Sequence, residues 1–183
     1  MRLTQDRYWE DFQPGERIQH QRARTITATD TQLYTLLSLN TAQAHFNRQY
    51  VETFFEGVYP ERLVPGPLVM AFALGLASED VTENAVEDGG YEAVRNPAPL
   101  FPGDTLSARS EILAVEEASD RPDAGWIVYR VEGLNQRGEV VVTVQHRVLV
   151  KKRRAWRERD EQYGPPQPVV FPAVNPFQSG GGR

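Results

Sequence analysis

The apolar residues of the chain are most concentrated in one segment, which has the pattern of a buried helix. Gly66 to Ser78 carries apolar side chains on nearly every side of a helical projection. Pro67 falls in its first turn, where the missing N–H costs no hydrogen bond. Because a helix that is apolar all round is normally enclosed by other elements, this segment is predicted to be a central, fully buried helix.

Two shorter helices are predicted before the central one. Thr29 or Asp30 is positioned to cap a helix whose apolar residues follow an i, i+3, i+4 spacing, namely Leu33, Leu36 and Leu37. Residues 40–45 interrupt this pattern, and residues 47–54 predict a second short helix. Residues 17–26 have β-branched ends, no helical stripe and a preceding Pro-Gly turn, and they predict a strand.

After residue 104 the pattern changes to a period of two, which is typical of strands. It covers residues 105–118, 126–135 and 140–150, and the last of these places Val142, Val144, His146, Val148 and Val150 on one face. The connection at residues 135–138 ends in a glycine, which suits a tight hairpin between the last two strands. One strand, a buried helix and an antiparallel meander predict an α+β domain with its sheet wrapped around the helix.

Composition divides the chain into a domain and a tail. Residues 165–183 are rich in proline and glycine and cannot hold a regular ladder. The run at residues 151–161 is dense in charge, which fits a solvated strand end and a short charged helix; a patch that contacts phosphate or coenzyme A is the alternative. We therefore predict a domain over residues 1–155 and a tail over 156–183, first charged and then Pro/Gly-rich.

Charge and residue usage exclude several classes of protein. The net charge is −5, which argues against nucleic acid as a partner. The chain has no cysteine, and its histidines, His20, His45 and His146, are far apart, so we expect no metal centre. The longest apolar stretch, residues 64–77, has 14 residues with two prolines and is too short to span a bilayer. No signal peptide is visible at the start, and a cytoplasmic protein is expected.

Four segments together resemble the MaoC-like hydratase/dehydratase family. They are YWEDFQPGE at residues 8–16, LNTAQAHFN at 39–47, LVPGPL at 63–68 and PLFPGDTL at 99–106. The resemblance extends over about residues 8–153, and within the family it is nearest to the mesaconyl-CoA hydratase, or β-methylmalyl-CoA dehydratase, group. It implies a single hot-dog domain that hydrates 2-enoyl-CoA thioesters or dehydrates 3-hydroxyacyl-CoA. A coenzyme A thioester is then the substrate, no cofactor is needed, and the protein is a homodimer or a multiple of dimers.

The same resemblance points to the candidate catalytic residues. His45 matches the histidine of the family's motif, and Asn40 matches its aspartate, as in the mesaconyl-CoA hydratase group. An amide cannot exchange a proton near neutral pH, whereas an imidazole can. His45 is therefore the expected general acid/base and Asn40 its positioning partner. Gly66, at the amino end of the predicted helix, is the expected donor to the thioester oxygen, or else it only permits the turn.

Other residues have weaker indications. Arg95 and Arg48 are candidates to bind a substrate carboxylate or a coenzyme A phosphate, although an arginine in such a position is more often a surface salt-bridge residue. His146 is predicted to be a hydrogen-bonded core histidine, and His20 is given no role. Two other functions stay open, a hot-dog thioesterase and a non-catalytic acyl-CoA-binding protein.

Overall fold

The computed structural model describes residues 7–163 of the 183-residue chain. The helices are α1 (Ala28–Leu37), α2 (Arg48–Phe54), α3 (Gly66–Val81) and α4 (Arg153–Tyr163), with 3-10 turns at Trp9–Asp11 and Gln43–His45. The strands are β1 (Arg17–Thr25), β2 (Ala85–Arg95), β3 (Thr105–Glu117), β4 (Ala124–Leu134) and β5 (Val140–Lys151). The Pro/Gly-rich part of the predicted tail, from residue 164 onward, lies outside the described residues.

The five strands form one antiparallel sheet in the order β1-β3-β4-β5-β2, and α3 packs on its inner face. The buried side of α3 consists of Leu68, Val69, Ala73, Ala77 and Val81. It meets the inward-facing residues of β3, β4 and β5, among them Ile112, Val131, Val142 and Val144. The α+β class and the sheet wrapped on a central helix are thus confirmed.

Two details of the helices differ from the sequence expectations. α3 is not enclosed on all sides, because Ala71 and Gly75 are exposed where the sheet does not reach. The cap of α1 is Thr27, neither Thr29 nor Asp30: Thr27 Oγ1 accepts from the Asp30 N–H at 3.1 Å, and Asp30 Oδ2 accepts from the Thr27 N–H at 2.8 Å. This reciprocal pair satisfies two backbone donors at once, so the helix begins two or three residues earlier than predicted.

The apolar stripe of α1 faces solvent. Its three leucines expose between half and four-fifths of their surface, 54% for Leu33, 66% for Leu36 and 78% for Leu37. The buried residues of α1 are instead Thr31 and Thr35. The spacing predicted the helix correctly, but it did not show which side packs on the core.

Strand β2 was not predicted from the sequence. Acidic residues and glycines interrupt its alternation, since it lies at the sheet edge and pairs only with β5 within residues 7–163. Its register against β5 slips three times, and Gly90 and Ala93 adopt positive φ angles of 95° and 51°. A Cβ at Gly89 would lie 2.8 Å from the Trp126 ring, so this glycine permits a close approach of β2 to its neighbours.

α4 begins at Arg153 and continues across the predicted domain boundary at residue 155. It docks on the body through Trp156, whose indole N–H donates to the Asp123 carbonyl at 3.1 Å, and through Asp160, which accepts from the Tyr8 hydroxyl at 3.1 Å. The predicted short charged helix is confirmed, and several of its basic residues pair with carboxylates, including Arg157 with Glu161 at 2.7 Å. Among the helices of residues 7–163, none is long and apolar enough to cross a membrane.

Candidate active site

His45 ends the 3-10 turn that follows α1. The chain reverses at Leu39, which adopts a φ of 53°, and the Asn40 N–H donates to the Thr35 carbonyl at 3.0 Å. The His45 N–H then donates to the Ala42 carbonyl at 3.1 Å. These backbone hydrogen bonds stabilise the short loop between α1 and α2 that carries His45.

The imidazole of His45 is oriented by the segment that leads into α3. Its Nδ1 atom lies 2.9 Å from the Leu63 carbonyl oxygen, and the Leu63 N–H donates back to the Ala44 carbonyl at 3.0 Å. Because a carbonyl oxygen only accepts, Nδ1 must carry the proton, which leaves the lone pair of the neutral ring on Nε2. This tautomer is the one that a general base needs.

Gly66 is the first residue of α3, directly after the capping residue Pro65. The Pro65 carbonyl accepts from the N–H groups of Leu68 and Val69, whereas the Gly66 N–H has no acceptor within residues 7–163. A free N–H at the positive end of a 16-residue helix favours negative charge beside it. The geometry is compatible with the donor role predicted for Gly66, and that role stays a prediction.

His45 and Gly66 line the same cleft, which has a volume of about 370 Å³. Its walls are mainly apolar, from Leu63, Val64, Val69, Pro97, Ala98, Pro99 and Leu100. Two further polar residues lie in it, Tyr59 and Asn96, and the sequence reading did not single out either. A mostly apolar cleft with a few convergent polar groups is the usual form of a small-molecule site.

Asn40 does not line this cleft. Its Oδ1 atom accepts from the Ala42 N–H at 3.0 Å, so the side chain caps the turn that carries His45. Its Nδ2 donates no hydrogen bond within residues 7–163. The structure therefore brings His45 and Gly66 to the same cleft, whereas Asn40 is not among the lining residues, and the positioning role of Asn40 stays a prediction.

The two candidate arginines also lie outside the cleft. Arg48 is exposed on α2 and pairs with Glu52 at 2.8 Å, which raises its pKa. Arg95 ends β2, is exposed, and donates to the Val94 carbonyl at 2.9 Å. Neither arginine is a lining residue of the cleft, so the substrate-binding role of both stays a prediction.

His146 is confirmed as a hydrogen-bonded core histidine, and its cluster joins β2, β4 and β5. Its Nδ1 accepts from the Tyr129 hydroxyl at 2.8 Å, and its Nε2 donates to Asp88 Oδ1 at 3.1 Å. Burial lowers the pKa of His146, with partial compensation from Asp88, so the neutral ring is favoured. Tyr91 stacks on this ring, and burial together with its hydrogen bond to Asp88 raises the pKa of Tyr91 to about 12.

Comparison with known proteins identifies the family. A family model described as mesaconyl-CoA hydratase matches residues 3–164. The chain belongs to the mesaconyl-CoA hydratase family. This confirms the resemblance found in the sequence, including its nearest group.

Two curated members of the mesaconyl-CoA hydratase family are similar over most of the chain. The mesaconyl-CoA hydratase of Cereibacter sphaeroides is 34% identical over 157 residues, which are 84% of this chain and 43% of that protein. The beta-methylmalyl-CoA dehydratase of Chloroflexus aurantiacus is 31% identical over 169 residues, 92% of this chain and 47% of that protein. The chain thus spans about half the length of these relatives.

Solved structures confirm the hot-dog fold. A putative MaoC domain protein dehydratase from Chloroflexus aurantiacus superposes with a TM-score of 0.74 at 29% identity, over 81% of this chain and 45% of that one. A Mycobacterium tuberculosis protein described as having a double hotdog fold superposes with a TM-score of 0.74 at 18% identity, over 85% of this chain and 47% of that one. The second likeness bears on the fold alone.

Proposed function

We propose that this chain is a hydro-lyase that reversibly adds water to 2-enoyl-CoA thioesters. The observation that carries the proposal is the cleft shared by His45, with Nε2 as its basic nitrogen, and by Gly66, with an N–H that lacks an acceptor in residues 7–163. Membership of the mesaconyl-CoA hydratase family and the names of the curated relatives support the same reaction. No cofactor is expected beyond the coenzyme A thioester itself.

The proposed chemistry needs only one titrating residue. His45 Nε2 takes a proton from a water molecule as the water oxygen bonds to C3 of the enoyl group. The π electrons of the C2=C3 bond move towards the thioester oxygen, and the imidazolium then returns the proton to C2 as the carbonyl re-forms. A positioned histidine is suited to both steps because its imidazole exchanges protons near neutral pH.

The Gly66 N–H stabilises the negative charge that develops on the thioester oxygen. An N–H at the start of a helix is held rigidly and needs no reorganisation as the charge appears. Since Pro67 lacks an N–H, the first turn of α3 offers Gly66 as its outermost donor. Asn40 retains its Nδ2 as a donor and is proposed to position the substrate from the loop that carries His45.

The relatives' names indicate the substrate class that we propose, a mesaconyl- or methylmalyl-type thioester. Such an acyl group has a second carboxylate, and we propose Arg95 or Arg48 as its partner or as a contact for a coenzyme A phosphate. Replacement of either arginine with alanine should then raise KM for mesaconyl-CoA while KM for crotonyl-CoA, which lacks that carboxylate, changes little. An equal effect on both substrates would instead indicate a coenzyme A contact.

We further propose a cytoplasmic homodimer or a multiple of dimers. The solvent-facing leucines of α1 and the edge strand β2 are surfaces that a second copy would cover. An open antiparallel edge and an exposed apolar stripe both favour association. Light scattering should give at least twice the chain mass of 20.7 kDa at micromolar concentration. A stable monomer would contradict this part of the proposal.

The deciding experiment is an assay with crotonyl-CoA and mesaconyl-CoA that follows enoyl absorbance and free thiol together. Loss of absorbance without release of thiol supports hydration. Release of free thiol would establish a thioesterase, and saturable binding with neither change would establish an acyl-CoA-binding protein. Either of those two results would overturn the proposed function.

A further inference from the structure

Asn96 is a polar residue of the cleft that the reaction described so far does not use. It follows β2 and precedes Pro97, and it lines the cleft together with His45 and Gly66. Asn96 is exposed to solvent. The question is which of its two amide atoms is available to the contents of the cleft.

The amide orientation of Asn96 is set by strand β5. Its Nδ2 donates to the Val141 carbonyl at 3.2 Å, so the nitrogen side is turned to the sheet. The oxygen lies towards α3: a methyl group built on Gly66 would be 2.7 Å from Asn96 Oδ1. Within residues 7–163, this oxygen accepts no hydrogen bond. Asn96 thus presents an acceptor, held in place, beside the proposed thioester-oxygen donor.

Hydration needs such an acceptor. A water molecule that gives one proton to His45 Nε2 still has a second O–H, and its direction decides whether the oxygen lone pair faces C3. Asn40 does not line the cleft, and its Oδ1 accepts from the Ala42 N–H. Asn96 lines the cleft, and both lone pairs of its Oδ1 are available within residues 7–163.

We propose that Asn96 is the positioning residue for the attacking water, which donates its second proton to Asn96 Oδ1. This inference rests on the proposed hydratase function and names a further residue for the same site. The amide does not titrate near neutral pH, so Asn96 aligns the water while His45 alone moves protons. The bond to Val141 acts through Asn96 by fixing the direction of its oxygen.

The test compares Asn96→Asp with Asn96→Ala in the full chain, with crotonyl-CoA and mesaconyl-CoA as substrates. The Asp variant keeps an oxygen acceptor but loses the N–H that donates to the Val141 carbonyl, whereas the Ala variant loses both groups. We expect Asn96→Ala to lower kcat by roughly 10- to 100-fold with little change in KM, the scale of loss for a misaligned reactant. Asn96→Asp should retain clearly more kcat than Asn96→Ala. Its carboxylate should also move the acid limb of the pH–rate profile to higher pH, because it stabilises the imidazolium.

A purely structural role makes the opposite prediction. If Asn96 only tied its segment to β5, Asp would be no better than Ala, since it also loses the bond to Val141. Asn135→Ala is the matched control, because the Asn135 amide holds the β4–β5 hairpin through Glu139 and Arg137. It should lower stability and leave kcat per folded molecule unchanged.

The outcomes separate the two proposals. A wild-type chain that hydrates neither substrate overturns the hydratase function itself. A wild-type chain that hydrates, together with an Asn96→Ala variant of undiminished kcat or an Asn96→Asp variant no more active than Asn96→Ala, overturns only the role of Asn96.

Discussion

His20 Nδ1 lies 2.6 Å from Asp80 Oδ2, and this contact joins the irregular middle of β1 to the central helix α3. On the other side of the ring, His20 Nε2 lies 2.7 Å from Ser110 Oγ on β3. Asp80, His20 and Ser110 are thus connected in the carboxylate–imidazole–hydroxyl order of a hydrolase triad. Ser110, however, is only 3% exposed, so its hydroxyl is not placed to attack a substrate. The arrangement is a hydrogen-bonded link between β1, α3 and β3.

The first prediction is that His20 contributes to stability and not to turnover. His20→Ala removes both hydrogen bonds and leaves space in the core, so we expect a loss of about 2–4 kcal/mol in the free energy of unfolding. Ser110→Ala should cost only about 1 kcal/mol, since it deletes a single bond. Urea denaturation measures both losses. A fall in kcat per folded molecule in either variant would contradict this assignment.

The second prediction concerns His45. If it is the only group that moves protons, His45→Ala should lower turnover by roughly 10²–10⁴-fold, the usual range for a positioned acid/base group. The variant should still fold, because the ring contributes one hydrogen bond to Leu63. Steady-state kinetics and circular dichroism test the two parts. Near-normal hydration by His45→Ala would mean that the site lies elsewhere.

The third prediction uses the asparagine that stands where the wider family has aspartate. Asn40→Asp places a carboxylate on the loop of His45 and should shift the acid limb of the pH–rate profile to higher pH by stabilising the imidazolium. Asn40→Ala should lower kcat but leave the protein folded. If both variants have the wild-type pH profile and kcat, Asn40 serves only as the cap of the Ala42 N–H.

The fourth prediction compares two glycines of α3. Gly66→Ala places a methyl group 2.7 Å from Asn96 Oδ1, so the amide must move, and kcat should fall. Gly75→Ala meets nothing within 4 Å and should stabilise the helix by about 0.5–1 kcal/mol, with unchanged kcat. Kinetics and thermal unfolding of the pair distinguish a disturbed cleft from a general effect of alanine. Equal kcat in both variants would argue against a role for the Gly66 region.

The fifth prediction is a pH dependence of stability from His146. Because burial lowers the pKa of His146 below its ordinary 6.5, the unfolded chain binds a proton at a higher pH than the folded chain does. The free energy of unfolding should therefore fall as the pH drops through 6.5 and below. His146→Gln removes this contribution, so the difference between the two proteins should shrink between about pH 8 and about pH 5.5. Urea titrations at both pH values measure it, and a pH-independent difference would contradict the assignment.

The sequence predicted elements with a regular apolar spacing, whether the marked face is buried, as in α3, or exposed, as in α1. The long strands β3 to β5 alternate over much of their length because one side of each packs on α3. β2 escaped prediction since it lies at an edge, with Gly89 required by the approach of Trp126 and with two residues at positive φ. The cap of α1 was misplaced because Thr29 and Asp30 have capping side chains too, and only the three-dimensional contacts show that Thr27 is used.

The candidate site was predictable only in part. The motif around His45 and the glycine before Pro67 indicated two of its polar groups. The sequence does not single out Asn96 as a site residue. A polar residue before a proline is common in loops, and no repeated pattern surrounds it. Which side of Asn40 is available depends on the turn at Leu39, and that conformation cannot be inferred from residue types alone.

The bond between His45 and the Leu63 carbonyl has a consequence for redesign of the protein. The same backbone segment that holds the imidazole continues directly through Val64 and Pro65 into Gly66. His45 and the amino end of α3 are therefore both held by this continuous segment. A substitution within the segment would disturb the two together. Tyr59 and Pro97 to Pro99 line the same cleft from other segments of the chain. Laboratory evolution of new acyl specificity should accordingly concentrate its tolerated changes at these positions.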